Sequence, residues 1–318
     1  MKLDFNIKRI GDSNKPYYST KYGAAYLGDS INLLKKIPDN TIDLVLTSPP
    51  FALTRKKEYG NEIESEYINW FMPYAEQFYR ILKTEGSLII DLGGSYLPKY
   101  PVRSIYQFEL LVNLCRKLNF YLAQEFYHYN PARLPSPAEW VNVRRIRVKD
   151  SVNVVWWLSK TPYPKSDNRK ILKPYSNSMN GLLKNGYKAK MRPSGHDISK
   201  KFIKNNGGAI PPNLITIANT DSSSYYMKKC QSLNINPHPA RFPIEFANFF
   251  IKFLTSDKDI IIDPFAGSNT TGYAANKLKR KWISIEIRKS YLETSKLRFN
   301  KNINPSLINS KRHENKKN

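Results

Sequence analysis

Two patterns of apolar residues alternate along the chain. Short strand candidates occur at 24–27, 42–47, 87–92, 120–128, 152–158, 259–263 and 282–286. The continuous apolar run at 42–47 has the signature of a strand buried on both faces. Between the strand candidates, apolar residues recur at intervals of three and four. Ile31, Leu34 and Ile37 predict a short helix capped by Ser30, and Tyr67, Trp70, Phe71, Tyr74, Phe78, Ile81 and Leu82 a longer one that Gly86 ends. Ile105, Phe108, Leu111, Cys115 and Leu118 mark a third face; Phe242, Phe246, Phe249, Phe250, Phe253 and Leu254 a fourth. Further helices are predicted over 268–278 and around 291–299. Strands separated by helices imply an α/β fold with a mostly parallel sheet.

The pattern breaks after Lys160. Residues 161–236 are rich in Pro, Gly, Asn, Ser and Lys and show no period, as expected of an inserted, loop-rich module. The chain therefore divides into 1–160, the insert 161–236, a second regular part 237–300 and a basic, fraying tail 301–318.

Two of the buried runs end in turns with chemical content. The first closes on Ser48-Pro49-Pro50-Phe51. In open α/β sheets ligands bind beyond the carboxyl ends of strands, and two prolines stiffen the turn there. Such a turn aims the Ser48 hydroxyl and main-chain carbonyls at one spot, where they can accept both N–H bonds of an exocyclic amine. Phe51 offers a flat face for a base to stack on. The bland alternative is a Pro-Pro turn closing a strand over a buried Phe. The second run ends in Asp263-Pro264-Phe265-Ala266-Gly267-Ser268-Asn269-Thr270-Thr271. Gly267 permits close approach of a ligand to the backbone. A helix starting at Ser268 favours a carboxylate at its N-terminus, and Asp263 can receive an ammonium. A ligand with both groups and no phosphate fits an amino-acid moiety. About twenty residues on, Glu286 ends a strand where an acid can bind ribose hydroxyls. Asp91 ends the strand after the one that closes on Ser48. Adjacent parallel strands would bring it near Ser48, to orient the hydroxyl or share a proton, or merely to cap a loop.

These residues carry a resemblance. The chain resembles the amino-methylating DNA methyltransferases of the beta group, in which the catalytic motif precedes the cofactor motif in a circularly permuted order. The segments 47–61, 134–160, 192–200, 207–214 and 238–243 are similar to the PvuII-type cytosine-N4 methyltransferases. The resemblance implies a Rossmann-like methyltransferase sheet with helices on both faces, S-adenosylmethionine as cofactor, and residues 161–236 as the target-recognition region. It implies catalytic roles for Ser48, Pro49, Pro50 and Phe51. It places Asp263, Phe265, Gly267, Ser268, Asn269, Thr270 and Glu286 at the cofactor, with Asp29 near its adenine. Asn269 stands where many relatives have Gly, so its side chain is expected to crowd or touch the cofactor. Tyr127, Tyr129, Asn130 and Pro131 resemble the segment lining a flipped base, and 239–243 the segment closing the methionine end.

Charge agrees with a nucleic-acid partner. Lys and Arg number 51 against 26 Asp and Glu, a formal +25, which suits a phosphate-rich ligand. Candidate backbone contacts are Arg133, Arg144, Arg145, Arg147 and Lys149, the insert cations Lys165, Arg169, Lys173, Lys184, Lys188, Lys190, Arg192, Lys200, Lys201 and Lys204, and Arg55, Lys56 and Lys57 behind the catalytic turn. Cys115 and Cys230 share no metal or disulfide spacing, and neither sits in the Pro-Cys turn that C5 methylation requires. The four histidines do not group as metal ligands. No leader or membrane span is evident, so a cytoplasmic, monomeric enzyme is expected, with a matching restriction endonuclease as its genetic partner. Rival readings are adenine-N6 methylation on the same fold, a non-catalytic DNA-binding protein, and an RNA substrate.

Overall fold

A computed structural model describes residues 5–10, 15–52, 62–186, 204–218 and 224–300, together with 193 and 195. In chain order the principal elements are β1 (Tyr18–Ser19), β2 (Gly23–Leu27), α1 (Ser30–Leu34), β3 (Ile42–Thr47), α2 (Glu64–Ile81), β4 (Leu82–Leu92) and α3 (Tyr106–Arg116). There follow β5 (Tyr121–Tyr129), β6 (Val152–Ser159), α4 (Asn177–Asn185), β7 (Leu214–Thr216), α5 (Tyr225–Ser232), α6 (Ile244–Leu254), β8 (Ile260–Asp263), α7 (Thr270–Lys277), β9 (Lys281–Glu286) and α8 (Lys289–Ser295).

The strands form one sheet in the order β1-β2-β9-β8-β3-β4-β6-β5-β7. Strands β2, β9, β8, β3 and β4 run parallel. Strand β6 inverts the direction between β4 and β5. Because side chains alternate across a strand, each run feeds two cores. Val45, Leu88, Ile90, Ile262, Ile283 and Ile285 meet α1, α2 and α3 on one face. Leu44, Leu46, Ile89, Ile261 and Trp282 meet the aromatic face of α6, and α7, on the other. Helices thus cover both faces, as the buried runs implied.

Boundaries moved where capping decided them. Asp29, not Ser30, caps α1 by accepting from Asn32 N at 3.0 Å. Ser30 instead donates to the Pro264 carbonyl at 2.5 Å and ties α1 to the second motif. Asn269, not Ser268, caps α7. The insert is less separate than its composition suggests. Its β7 extends the sheet beside β5, and Tyr226 of α5 hydrogen-bonds Thr294 at 3.3 Å within a small core that includes Leu297. The loop cations 55–57, the insert positions Lys188, Lys190, Arg192, Lys200 and Lys201, and the tail 301–318 lie outside the described residues.

The two chemical motifs meet because β3 pairs with β8, Leu44 opposite Ile261 and Val45 opposite Ile262. Buried carboxylates staple both ends of the pair. At the amino end Asp43 accepts from Ile260 N at 2.9 Å and from Lys83 Nζ at 2.8 Å. At the carboxyl end Asp263 Oδ1 accepts from Thr47 Oγ1 at 2.8 Å, across 216 residues of sequence, and from Phe265 N at 3.1 Å. Its Oδ2 accepts from Thr271 Oγ1 at 2.7 Å. Burial pushes the Asp263 carboxyl up to about 6, with hydrogen bonds from Thr271 and Thr47 opposing it.

Two outcomes follow from this packing. Phe250 is fully buried and its ring lies 5.1–5.2 Å from those of Phe126, Phe246 and Phe249. Phe250→Ala should destabilise the fold by about 3–5 kcal/mol in urea denaturation. Asp263 binds its proton more tightly folded than unfolded, so its ionisation opposes folding as pH rises between the ordinary carboxyl range and about 6. Asp263→Asn should therefore gain stability relative to the parent on going from pH 4 to pH 7, read by denaturation at both values. An unchanged difference would show that the carboxyl ionises without penalty.

Candidate active site

The carboxyl ends of β3, β4, β8 and β9 open into a cavity of about 690 Å³. That size suits a drug-sized cofactor plus a planar ring. Ser48, Pro49, Pro50, Phe51 and Asp91 line one part of it; Asp29, Phe265, Gly267, Ser268, Thr270 and Glu286 line another. Residues from opposite ends of the chain thus share one chamber.

At the Ser48-Pro49-Pro50-Phe51 turn the Ser48 hydroxyl donates to the main-chain carbonyl of Asp91 at 3.1 Å. Its proton is thereby spent, and the oxygen keeps lone pairs for an incoming N–H. This is the Ser48–Asp91 proximity expected from parallel strands, made through Asp91's backbone rather than its carboxylate. The Pro50 carbonyl already accepts from Tyr67 Oη at 2.9 Å, which occupies one of its two lone pairs. Phe51 lies against Gly93: a Cβ there would come within 2.4 Å of the ring, so only glycine leaves room for it.

At the second motif Gly267 has φ +50 and its N–H donates to Glu286 Oε2 at 2.8 Å. A Cβ on Gly267 would stand 3.0 Å from His238 Nε2, so the cradle requires both the left-handed conformation and the missing side chain. Glu286 Oε1 accepts from Arg288 N at 2.8 Å, which fixes the carboxylate at the cavity wall. Burial raises its pKa, with backbone hydrogen bonds from Arg288 and Gly267 opposing. Ser268 receives Arg298 twice, Nε on its carbonyl at 2.7 Å and Nη2 on its hydroxyl at 3.0 Å.

Asp263 and Asn269 stand apart from this wall. The Asp263 carboxylate lies beneath the chamber with both oxygens engaged, so it shapes the loop from below rather than facing an ammonium. Asn269 is fully buried at φ 57. Its Oδ1 accepts from Gly272 N at 3.0 Å and Ser284 Oγ at 2.7 Å, and its Nδ2 donates to Tyr18 Oη at 2.9 Å. It does not crowd the cavity: αL geometry turns the side chain down into the fold. Its identity reflects helix capping.

Other wall residues carried no separate signal in the sequence. Trp70 and Tyr74 sit one turn apart on α2, with ring centroids 5.7 and 5.0 Å from Phe265. Their periodicity reads as core, yet α2 leaves their rings in the cavity beside Asp29. Burial raises the Tyr74 pKa, and Asp29 adds to the rise. His238 also lines the chamber, its ring edge-on to Tyr291 at 4.3 Å. Burial lowers its pKa to about 4 against the effect of the Ala240 carbonyl, so it is neutral at pH 7. On β5 the expected base-lining tyrosines are offset by one residue. The strand alternates, so His128 is buried and faces the cavity while Tyr127 is exposed. Asn130 lines the cavity as expected.

Arg133 also reaches the cavity, donating to Asn153 Oδ1 at 3.0 Å. Arg144 and Arg147 are exposed, Arg144 paired with Glu139 and stacked 5.0 Å over Trp140. Two insert cations are tied internally instead, Lys165 to Asp259 at 2.5 Å and Arg169 to Asp167 at 2.7 Å. Among the described residues no group of three or more His, Cys, Asp or Glu is placed to hold a metal, and no helix is long and apolar enough to cross a membrane.

Comparison with known proteins fits this geometry. The chain is 51% identical over 288 residues to the type II methyltransferase M.PvuII of Proteus hauseri, covering 90% of this chain and 86% of that protein. It is 30% identical to the type II methyltransferase M.ScaI of Streptomyces caespitosus over 88% of this chain and 82% of the relative. The solved PvuII DNA methyltransferase, described as cytosine-N4-specific, superposes with a TM-score of 0.76 at 42% identity, covering 94% of this chain and 97% of that one. A Thermus thermophilus protein solved with S-adenosyl-L-methionine shares the fold at a TM-score of 0.54 and 18% identity, over 90% and 95% of the two chains. A family model described as DNA methylase matches residues 42–297, and the chain belongs to that family.

Proposed function

We propose that the protein is a site-specific DNA methyltransferase of a type II restriction-modification system, moving a methyl from S-adenosylmethionine to N4 of a cytosine flipped out of duplex DNA. The observation that carries this reading is the placement of the Ser48-Pro49-Pro50-Phe51 turn beside the Gly267 cradle in one chamber, in a chain half identical to M.PvuII.

The cofactor fits the residues present. Gly267 leaves backbone space, Glu286 offers a fixed carboxylate for vicinal hydroxyls, and Phe265, Trp70 and Tyr74 form an aromatic wall with Asp29 beside it. Bound there, S-adenosylmethionine supplies an electrophilic methyl on a sulfonium. The chain's own work is done on the amine. In a free base the amino lone pair is spread into the ring. The Ser48 hydroxyl oxygen and the turn carbonyls accept the two N–H bonds, return electron density to nitrogen and aim the lone pair across the chamber. Phe51 stacks on the ring. The target is unreachable inside a duplex, so the base must leave the stack. Arg133 at the chamber and the exposed Arg144 and Arg147 hold phosphates while it does so, and the insert contributes the sequence reading. The enzyme works as a cytoplasmic monomer, because one strand is methylated per visit, with a matching endonuclease as its genetic partner.

Two measurements test this. Mass spectrometry of nucleosides from duplex DNA treated with the protein and labelled S-adenosylmethionine should show N4-methylcytosine; N6-methyladenine would give the same pocket to adenine. Ser48→Ala should cut turnover on the order of 100-fold, with cofactor affinity by calorimetry unchanged. Unaltered turnover would remove Ser48 from the mechanism.

A further inference from the structure

Buried polar atoms almost always find a partner, and those that do not call for an explanation. Among the described residues, three such atoms meet at one place in the chamber: Asp91 Oδ1, His128 Nδ1 and His128 Nε2 have no hydrogen-bond partner. Both residues are almost fully buried, at 2% and 6% exposure, and both line the cavity with Ser48 and Pro49. They reach it from different strands. Asp91 is on β4 and His128 on β5, with β6 between them. Asp91 pairs with Val155, and His128 with Asn153 two residues earlier on the same strand.

The groups around them are otherwise engaged. Ser48 donates to the Asp91 main chain, not to its carboxylate. Arg133 donates to Asn153. Phe246 packs its ring 5.0 Å from the imidazole. What faces the Asp91 carboxylate is His128, whose Nδ1 stands 3.8 Å from Oδ2. That separation is longer than a hydrogen bond, but contacts of this kind commonly close only when substrate fills the site.

We propose that His128 is the positioning residue of Asp91: its Nδ1–H clamps Oδ2 and thereby aims Oδ1 at an amino N–H of the flipped base. The proposal rests on the base-binding reading above for its target. The carboxylate beside Nδ1 selects the tautomer with the proton there and leaves the lone pair on Nε2. Oδ1 is almost wholly shielded as the carboxylate stands; closure of Nδ1 onto Oδ2 turns the carboxylate and brings Oδ1 to the amine. That oxygen is a third acceptor for the amine, after the Ser48 hydroxyl and the turn. An unpartnered buried carboxylate oxygen is costly, and the amine is the donor that relieves it. Without the clamp the carboxylate can rotate away from the amine.

Asparagine places an N–H close to where Nδ1 sits, glutamine one close to where Nε2 sits, and leucine neither. His128→Leu is expected to lower the single-turnover methyl-transfer rate on the order of 100-fold, and His128→Asn to recover at least roughly tenfold of that loss. His128→Gln should resemble His128→Leu, and cofactor affinity by calorimetry should match the parent in all three. Recovery by Gln and not Asn, or equal rates in all four proteins, overturns the proposal; so does equal loss in Asn and Leu. The ¹⁵N resonances of the imidazole, assigned by comparison with His128→Asn, give a second reading independent of catalysis. A protonated Nδ1 with a lone pair on Nε2 supports the clamp, and the opposite tautomer overturns it even in a protein that methylates cytosine. Absence of N4-methylcytosine with the Nδ1–H tautomer intact would instead count against the cytosine assignment alone.

Discussion

The parallel pairing of β3 with β8 is the constraint on which the site depends. It brings together strands from opposite ends of the chain, and two buried carboxylates hold it. Asp43 binds the start of β8 through Ile260 N, and Asp263 receives Thr47 at the other end. A buried charge is tolerated only when its acceptor sites are filled, and each carboxylate takes one of its hydrogen bonds from the other strand, Asp43 from Ile260 N and Asp263 from Thr47 Oγ1. A slip in this pairing would strand two carboxylates in the core, so the register that makes the chamber is also the register that satisfies them.

Above that pair the walls come from elements that are also structural. Helix α2 packs Tyr67, Phe71 and Phe78 into the core. Its Tyr67 hydroxyl holds the Pro50 carbonyl, and its Trp70 and Tyr74 rings border the second motif. One helix thus connects the Ser48–Phe51 turn to the aromatic wall. The antiparallel half of the sheet supplies the other side. Reversing direction at β6 brings β5 back toward the chamber, with His128 pointing in at the level of Asp91.

The surface charge has a similar logic. Several acids are committed to intramolecular pairs, among them Asp43 with Lys83, Asp259 with Lys165 and Asp257 with Arg280. Over the whole chain a formal +25 remains. A long-range attraction for phosphate brings a duplex to the mouth without specifying a sequence, and the inward-facing residues then act on whichever base is presented.

Alternating buried runs and amphipathic stretches determined the α/β class, most of the strands, and the two turns where chemistry was expected. These are local properties: period, length, and the stiffness of Pro-Pro or the freedom of a glycine are written in neighbouring residues. Ser48, Phe51, Gly267 and Glu286 were legible for that reason. Tertiary structure decided the rest. Asp263 and Asn269 belong to the second motif by sequence, but partners on β3, β9 and β1 take up their polar atoms and turn them away from the cavity. Trp70 and Tyr74 follow the same period as core residues, and only the neighbourhood of Phe265 makes them wall. His128 was hidden by one residue of register on β5, since adjacent side chains on a strand face opposite sides and nothing local says which side meets Asp91. A pattern along the chain can specify which residues are buried together on one face; which distant residue lies opposite is set by the order and direction of strands in the sheet.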